Sequence, residues 1–303
     1  MVSLTAIVPA TNDPTTLPVC VEAIRLAADT PEEVIVVRHA DGLGPAAARN
    51  VGASDATGDV LVFVDADIEI HSDAFSRIRR AFAGDPELTA LFGSYDDNPE
   101  AEGVVSVFRN LLHHHVHHSA AGPATTFWGG IGAVRRDEFE RVGGFDEKRF
   151  AEPSVEDIEL GMRLTAAGAQ IRLDPSIQGK HLKRWTLPQM IHTDLFKRGI
   201  PWVELLLESR EGSAALNLSW RHRLSTLAVV TGVGAAAARR PRAVVGSIGL
   251  LLILNRSFYS FLARRRGARE AVAGVGLHSL HHLTAAASVP AGIVRHLRRR
   301  GDV

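Results

Sequence analysis

The sequence predicts an α/β fold: a Rossmann-like, mixed but mainly parallel sheet flanked by helices, with a hydrophobic helical tail behind it. Three observations carry that expectation. Short apolar runs alternate with segments of helical period from Leu4 to Ile68, the strand–helix–strand order that builds parallel sheets. Those runs end in Pro9-Ala10, in Arg38 to Asp41 and in Asp65-Ala66-Asp67, so polar groups gather at the carboxyl ends of strands, where such sheets bind ligands. From residue 224 the composition turns apolar and small-residue-rich, punctuated by arginines.

In order, residues 4–10 read as a strand that stops at proline. Residues 17–28 have helical period, with Leu17, Cys20, Val21, Ile24 and Ala28 on one face. Residues 33–37 are a second buried strand, residues 42–44 a turn, and residues 45–53 a short helix carrying Arg49 and Asn50. Residues 59–68 then form an apolar run that ends in two carboxylates. Burying an unpaired carboxylate is costly, so Asp65 and Asp67 should sit where the strand leaves the core. On an extended chain, acids at this spacing point the same way and would suit a hard divalent cation bound together with a diphosphate.

The pattern of four stretches resembles the nucleotide-binding half of family 2 glycosyltransferases, inverting enzymes of the GT-A fold. They are Val8-Pro9-Ala10 with Asn12; residues 34–37; Gly44-Pro45-Ala46-Ala47-Ala48-Arg49-Asn50 with Gly52; and Gly58-Asp59 leading to Asp65-Ala66-Asp67. The resemblance implies a nucleoside-diphosphate sugar donor and a Mg²⁺ or Mn²⁺ cofactor. Asp67 matches the metal ligand, and Asp65 the position near ribose and metal. Pro9, Ala10 and Asn12 match the loop around the nucleoside, and Arg49 a residue near base and phosphates. The family often carries an acidic pair after the second strand; here Arg38-His39 stands there, with Asp41 the nearest carboxylate to replace it.

Further along, residues 72–83 read as a helix with Phe75, Ile78 and Phe82 inward, and residues 88–92 as a strand. Residues 102–118 have helical period and end in five histidines, at 113–115, 117 and 118. No closed set of zinc partners lies nearby in sequence, so a polar helix face near the cleft is expected there. The glycine-rich strand at 126–136 contains Gly129 and Gly130. Tight sheet packing and close approach of a ligand both suit such glycines; the resemblance favours a donor-sugar pocket. Ser154 and Asp157 have capping-box spacing, which gives Asp157 a structural role. Its other reading, which the resemblance supports through Glu156-Asp157, is a general base that takes the acceptor proton. A helix N-terminus favours its charged form. Glu156 is expected to orient the acceptor or pair with a basic group. Residues 169–174 read as a last strand, and residues 179–186 as a basic loop closing over the diphosphate. In that loop Arg184 would steady the leaving group, Trp185 would stack on the acceptor and His181 would join Asp67 on the metal.

The chain has 303 residues, with 34 basic and 34 acidic side chains and no formal net charge. Trp220 to Val303 nevertheless holds 14 Arg, no Lys and two acids, a balance of +12. That suits a tail facing an anionic surface, and no nucleic-acid partner is expected. The single Cys20 excludes an internal disulfide, as in a reducing compartment, and the first residues show no signal-peptide pattern. Arginine clusters flank three apolar segments at 224–238, 243–263 and 271–294, as at the ends of membrane segments. The expected organisation is therefore a GT-A catalytic domain at 1–205, an amphipathic connector at 206–223 and membrane-associated helices at 224–303. The enzyme would sit at the cell membrane, its catalytic domain on the cytoplasmic side, and act on a lipid or cell-envelope glycan acceptor. Two other readings compete. A nucleotidyltransferase would want a glycine-rich basic loop after the first strand, and a non-catalytic nucleotide-sugar-binding membrane protein would be expected to have lost Asp67 or Asp157.

Overall fold

The computed structural model describes residues 2–38, 44–209 and 219–301. They pack as two compact units, Met1–Ala101 with His113–Lys183, and Glu102–Leu112 with Arg184–Val303.

The first unit runs β1 (Leu4–Ala10), α1 (Leu17–Arg25), β2 (Glu33–Arg38), α2 (Pro45–Asp55), β3 (Val60–Val64), β4 (Ile68–Ile70), α3 (Ala74–Gly84) and β5 (Leu88–Tyr95). It continues through α4 (Val104–Ser119), whose first half belongs to the second unit, then β6 (Gly122–Ala124), β7 (Ile131–Arg135), α5 (Arg136–Arg141), α6 (Glu156–Ala166) and β8 (Gln170–His181). The sheet order is β2-β1-β3-β7-β5-β8-β4, with β6 on β8. Strands β2, β1, β3, β5 and β8 run one way, while β7, β4 and β6 run against them. This is the mainly parallel α/β architecture the sequence predicts. All five residues of β3 are buried, which explains why its sequence is continuously apolar: both faces of a parallel strand are covered. Each such side chain contributes about 1.5–3 kcal/mol on burial.

Phe63 of β3 meets Phe127, Phe139 and Phe145 at ring-centre distances of 6.5, 5.6 and 5.3 Å. This cluster seats the loop after α5, where Gly143 and Gly144 have φ of +83° and +67°, backbone that glycine adopts without a steric penalty.

Two local expectations differ from the structure. The segment 179–181, expected in a loop, is strand: β8 extends to His181 and pairs with β4, Ile68 opposite His181. Inward Ile177, Gly179 and His181 alternate with partly exposed neighbours, a half-buried strand pattern hidden by the basic residues between them. The capping box at Ser154 is not formed either. The N-cap of α6 is Val155, and the Ser154 amide donates to Glu156 Oε2 at 2.8 Å.

The second unit contains α7 (Leu187–His192), a π-helical turn (Thr193–Gly199), α8 (Ile200–Glu208), α9 (Trp220–Ala237), α10 (Pro241–Leu254), α11 (Arg256–Arg266) and α12 (Ala268–Gly301). Helix α12 packs on α8 and on the π-helical turn, so residues from 184 onward join the helical unit rather than ending a catalytic domain near 205. The middle apolar segment breaks at Asn255, whose side-chain amide donates to Ser225 Oγ at 2.8 Å and the Leu251 carbonyl at 3.0 Å. Among the described residues no single helix is long and apolar enough to cross a membrane; only α10 with α11, bent by 75°, has the length and composition together.

Candidate active site

Strand β3 stops at Val64, and the Ile68 amide donates back to the Asp65 carbonyl at 3.0 Å. Asp65-Ala66-Asp67 is therefore a tight turn rather than extended chain, and its two carboxylates take different partners instead of sharing one. Thr16 Oγ donates to the Ala66 carbonyl at 2.8 Å, the Cys20 thiol to the Asp65 carbonyl at 3.6 Å and the Asp65 amide to the Gly130 carbonyl at 3.0 Å. Burial and the two nearby carboxylates push the Cys20 thiol up to about 12, so it serves as a packed, protonated brace.

Asp65 turns inward to Arg49, whose Nη2 donates to Asp65 Oδ1 at 2.7 Å and whose Nη1 donates to Glu156 Oε1 at 3.0 Å. Arg49 is 4 % exposed. A buried charge is tolerable only when paired, and here two carboxylates flank one guanidinium. Burial works against the Arg49 charge, but Asp65 and Glu156 outweigh it and raise its pKa above the ordinary value. Burial raises Asp65 against the pull of Arg49, with Asp67 adding repulsion. Arg49 thus fastens the Asp-Ala-Asp turn to the Glu156-Asp157 motif across 107 residues of sequence.

Asp67 faces the other way. Its Oδ2 lies 3.7 Å from His181 Nε2, a neighbour supplied by the β4–β8 register. Burial opposes its ionisation, yet the nearby His181 and then Lys183 hold its carboxyl below the usual range.

Asp157 lies in the first turn of α6. Its Oδ2 accepts the Gly129 amide at 3.1 Å and its Oδ1 the Ile158 amide at 2.8 Å. Burial first, then repulsion from Glu156, push its carboxyl up to about 6 against those amides and Arg49. The helix N-terminus therefore does not set its ionisation alone. Gly129 and Gly130 join the two motifs, the first through its amide to Asp157, the second through its carbonyl to Asp65. A β-carbon at Gly129 would lie 3.3 Å from Arg49 Cζ, and one at Gly130 would overlap the Trp128 ring.

Of the other sequence candidates, Pro9, Ala10 and Asn12 lie at or just beyond the carboxyl end of β1, beside β3 in the sheet, with Asn12 exposed. Asp41 lies outside the described residues. Arg184 and Trp185 belong to the second unit, where the Trp185 amide donates to Ser106 Oγ at 2.8 Å and its ring lies 5.0 Å from Arg109 Cζ. Tyr95, stacked on His181 with ring centres 4.1 Å apart, escapes sequence reading because a lone strand-end tyrosine has no motif around it.

Among the described residues no group of three or more His, Cys, Asp or Glu side chains could hold a metal by itself. The pair Asp67 and His181 still fits the expected cation. Mg²⁺ and its like take one or two protein carboxylates and complete their shells with phosphate oxygens and water, and imidazole is a common partner for transition metals.

Comparison with known proteins bears on the fold. Residues 20–143 match the family described as Glycosyl transferase family 2, and residues 110–184 the one described as N-terminal domain of galactosyltransferase. The first unit thus has a GT-A-like fold and carries a stretch similar to family 2 glycosyltransferases. The chain is 25 % identical over 296 residues to the pre-mycofactocin glycosyltransferase of Mycobacterium tuberculosis, covering 88 % of this chain and 62 % of that protein. It therefore spans about three fifths of that relative's length. In fold it is similar to the mannosyltransferase PcManGT of Pyrobaculum calidifontis in complex with GDP-Man and Mn²⁺. That match has a TM-score of 0.54 at 16 % identity, over 98 % of this chain and 87 % of that one. It is also similar to GalNAc-T7 with UDP, GalNAc and Mn²⁺, with a TM-score of 0.50 at 14 % identity over 75 % and 51 % of the two chains.

Proposed function

We propose that this chain transfers a sugar, with inversion, from a nucleoside-diphosphate sugar to a lipid-linked or cell-envelope glycan acceptor at the cytoplasmic face of the cell membrane. The observation that carries the reading is the Asp65–Arg49–Glu156 cluster. It binds the candidate metal turn and the candidate base motif into one face of the first unit. Asp67 and His181 would hold Mg²⁺ or Mn²⁺, which supplies positive charge against the donor diphosphate. Asp157 Oδ takes the acceptor hydroxyl proton as that oxygen bonds to the sugar C1. The bond from C1 to the diphosphate oxygen breaks, and its electron pair leaves with the nucleoside diphosphate. A carboxyl near 6 is ionised at neutral pH yet more basic than an ordinary aspartate, as a general base requires. The presence of both Asp67 and Asp157 favours catalysis over a binding-only role. The arginine-rich tail, with exposed Trp220, Leu227, Val245 and Ile253, suits a membrane partner.

The test is donor hydrolysis and transfer with Mn²⁺ or Mg²⁺, comparing wild type with Asp67→Asn and Asp157→Asn, with the product anomer read by NMR. Both variants should lose activity. Wild-type rates in both would overturn the mechanism, and retained anomeric configuration would overturn inversion.

A further inference from the structure

The histidine run of α4 has partners that a polar helix face would not have. His117 Nδ1 lies 2.9 Å from the Gly93 carbonyl and His114 Nδ1 2.9 Å from the Tyr95 carbonyl. A carbonyl only accepts, so both Nδ1 atoms carry the proton. Gly93 sits within the register shift between β5 and β8 at Phe92/Ser94, where the ladder is irregular, and Tyr95 lies just beyond it. The histidines thus grip the end of β5.

The rings then form a row. His117 and His113 have centres 3.8 Å apart, His113 and Tyr95 4.3 Å, and Tyr95 and His181 4.1 Å with only 16° between planes. Trp128 closes the side, 5.0 Å from Tyr95 and 4.5 Å from His113. At its end His181, 4 % exposed, turns Nε2 toward Asp67. A β-strand fixes the Cβ of His181 but leaves two side-chain torsions to choose where the nitrogen goes. The flat face of Tyr95 restricts that choice, and α4 fixes Tyr95.

We propose that Tyr95, held by the histidines of α4, is the positioning residue that keeps the His181 imidazole aimed at the cation shared with Asp67. The proposal rests on the reading of Asp67 and His181 as the metal pair. Groups behind a metal ligand commonly change metal affinity by about 10–100-fold when removed. The stacking face rather than the hydroxyl matters here, so phenylalanine should serve in place of tyrosine.

Mn²⁺ binding to the full chain, followed by loss of the free-ion EPR signal in the presence of GDP or of UDP, tests this without turnover. Tyr95→Phe should bind Mn²⁺ as wild type does, and Tyr95→Leu about tenfold more weakly. His113→Leu, which removes only the support behind the ring, should weaken binding less. Wild-type affinity in a folded Tyr95→Leu overturns the proposal; if that variant does not fold, wild-type affinity in His113→Leu overturns it instead. Wild-type binding in both Asp67→Asn and His181→Ala would show that the metal pair itself is misassigned, a separate failure.

Discussion

Asp157→Asn should separate chemistry from stability, because the site places a carboxylate where it is useful and uncomfortable at once. Its folded pKa is raised from 3.8 to about 6 by burial and by Glu156. The ionised fraction of such a group is ~0.9 at pH 7 and ~0.1 at pH 5, so a rate requiring the base falls about tenfold over that interval. A carboxylate of ordinary pKa would stay almost fully ionised across it and give a nearly flat profile. At saturating donor and metal, kcat of the wild type should therefore show an acid limb of unit slope centred near 6. Asp157→Asn should lose about 10²–10⁴ in kcat.

The stability sign runs the other way. A carboxyl raised above its unfolded value binds its proton more tightly when folded, so ionised Asp157 costs stability in full above the folded pKa, and the cost declines as pH falls from about 6 toward 3.8. The shift corresponds to ~3 kcal/mol at pH 7, reduced to ~1–2 kcal/mol for a side chain still partly in contact with water. Asparagine keeps an acceptor for only one of the Gly129 and Ile158 amides, which returns about 1 kcal/mol of that gain. Thermal unfolding should thus give an Asp157→Asn Tm at or above wild type at pH 7, beside a collapsed kcat. A flat wild-type profile down to pH 5, or a variant that loses Tm and activity together, would refute the assignment of Asp157 as base.

Arg49→Met leaves Asp65 and Glu156 facing each other without their cation, and should cost about 3–5 kcal/mol by chemical denaturation; Arg49→Met with Glu156→Gln should recover part of that loss. For the tail, changing Arg239, Arg240 and Arg242 together to glutamine should weaken binding to phosphatidylglycerol-containing vesicles by ~3 kcal/mol at low salt, about two orders of magnitude, with little effect on neutral vesicles in flotation. Full-length protein extracted freely without detergent would count against a membrane partner.

The sheet was legible because its strands are buried on both faces, and β3 shows this as an unbroken apolar run. The site was legible as a set of motifs but not as a set of contacts. Asp65 and Asp67 appear equivalent in sequence, and only the turn after Val64 sends one to Arg49 and the other to His181. Nothing local to Arg49 shows that its partners lie 16 and 107 positions away. The strand placement of His181 was obscured by the lysines around it, although its alternation with Ile177 and Gly179 is a strand signal. The histidine run offered a helix and no partners, because the carbonyls its rings meet lie on β5, 24 and 19 residues earlier, and no local pattern links them to it.

The buried cluster also explains how a general base can be both displaced in pKa and fixed in place. Near the start of α6 the helix dipole and amides alone would pull Asp157 down and hold it charged, as an ordinary aspartate. Burial first, and then Glu156 beside it, raise the cost of that charge, and Glu156 is accommodated there by its ion pair with Arg49. Replacing the cluster with packed hydrophobic side chains could gain stability, but it would also remove Glu156's repulsion of Asp157 and the rigid connection to Asp65. On the proposed reading the ion cluster has a functional reason to persist: one guanidinium would position the metal turn, carry the carboxylate beside the proposed base, and leave Asp67 and Asp157 to face substrate.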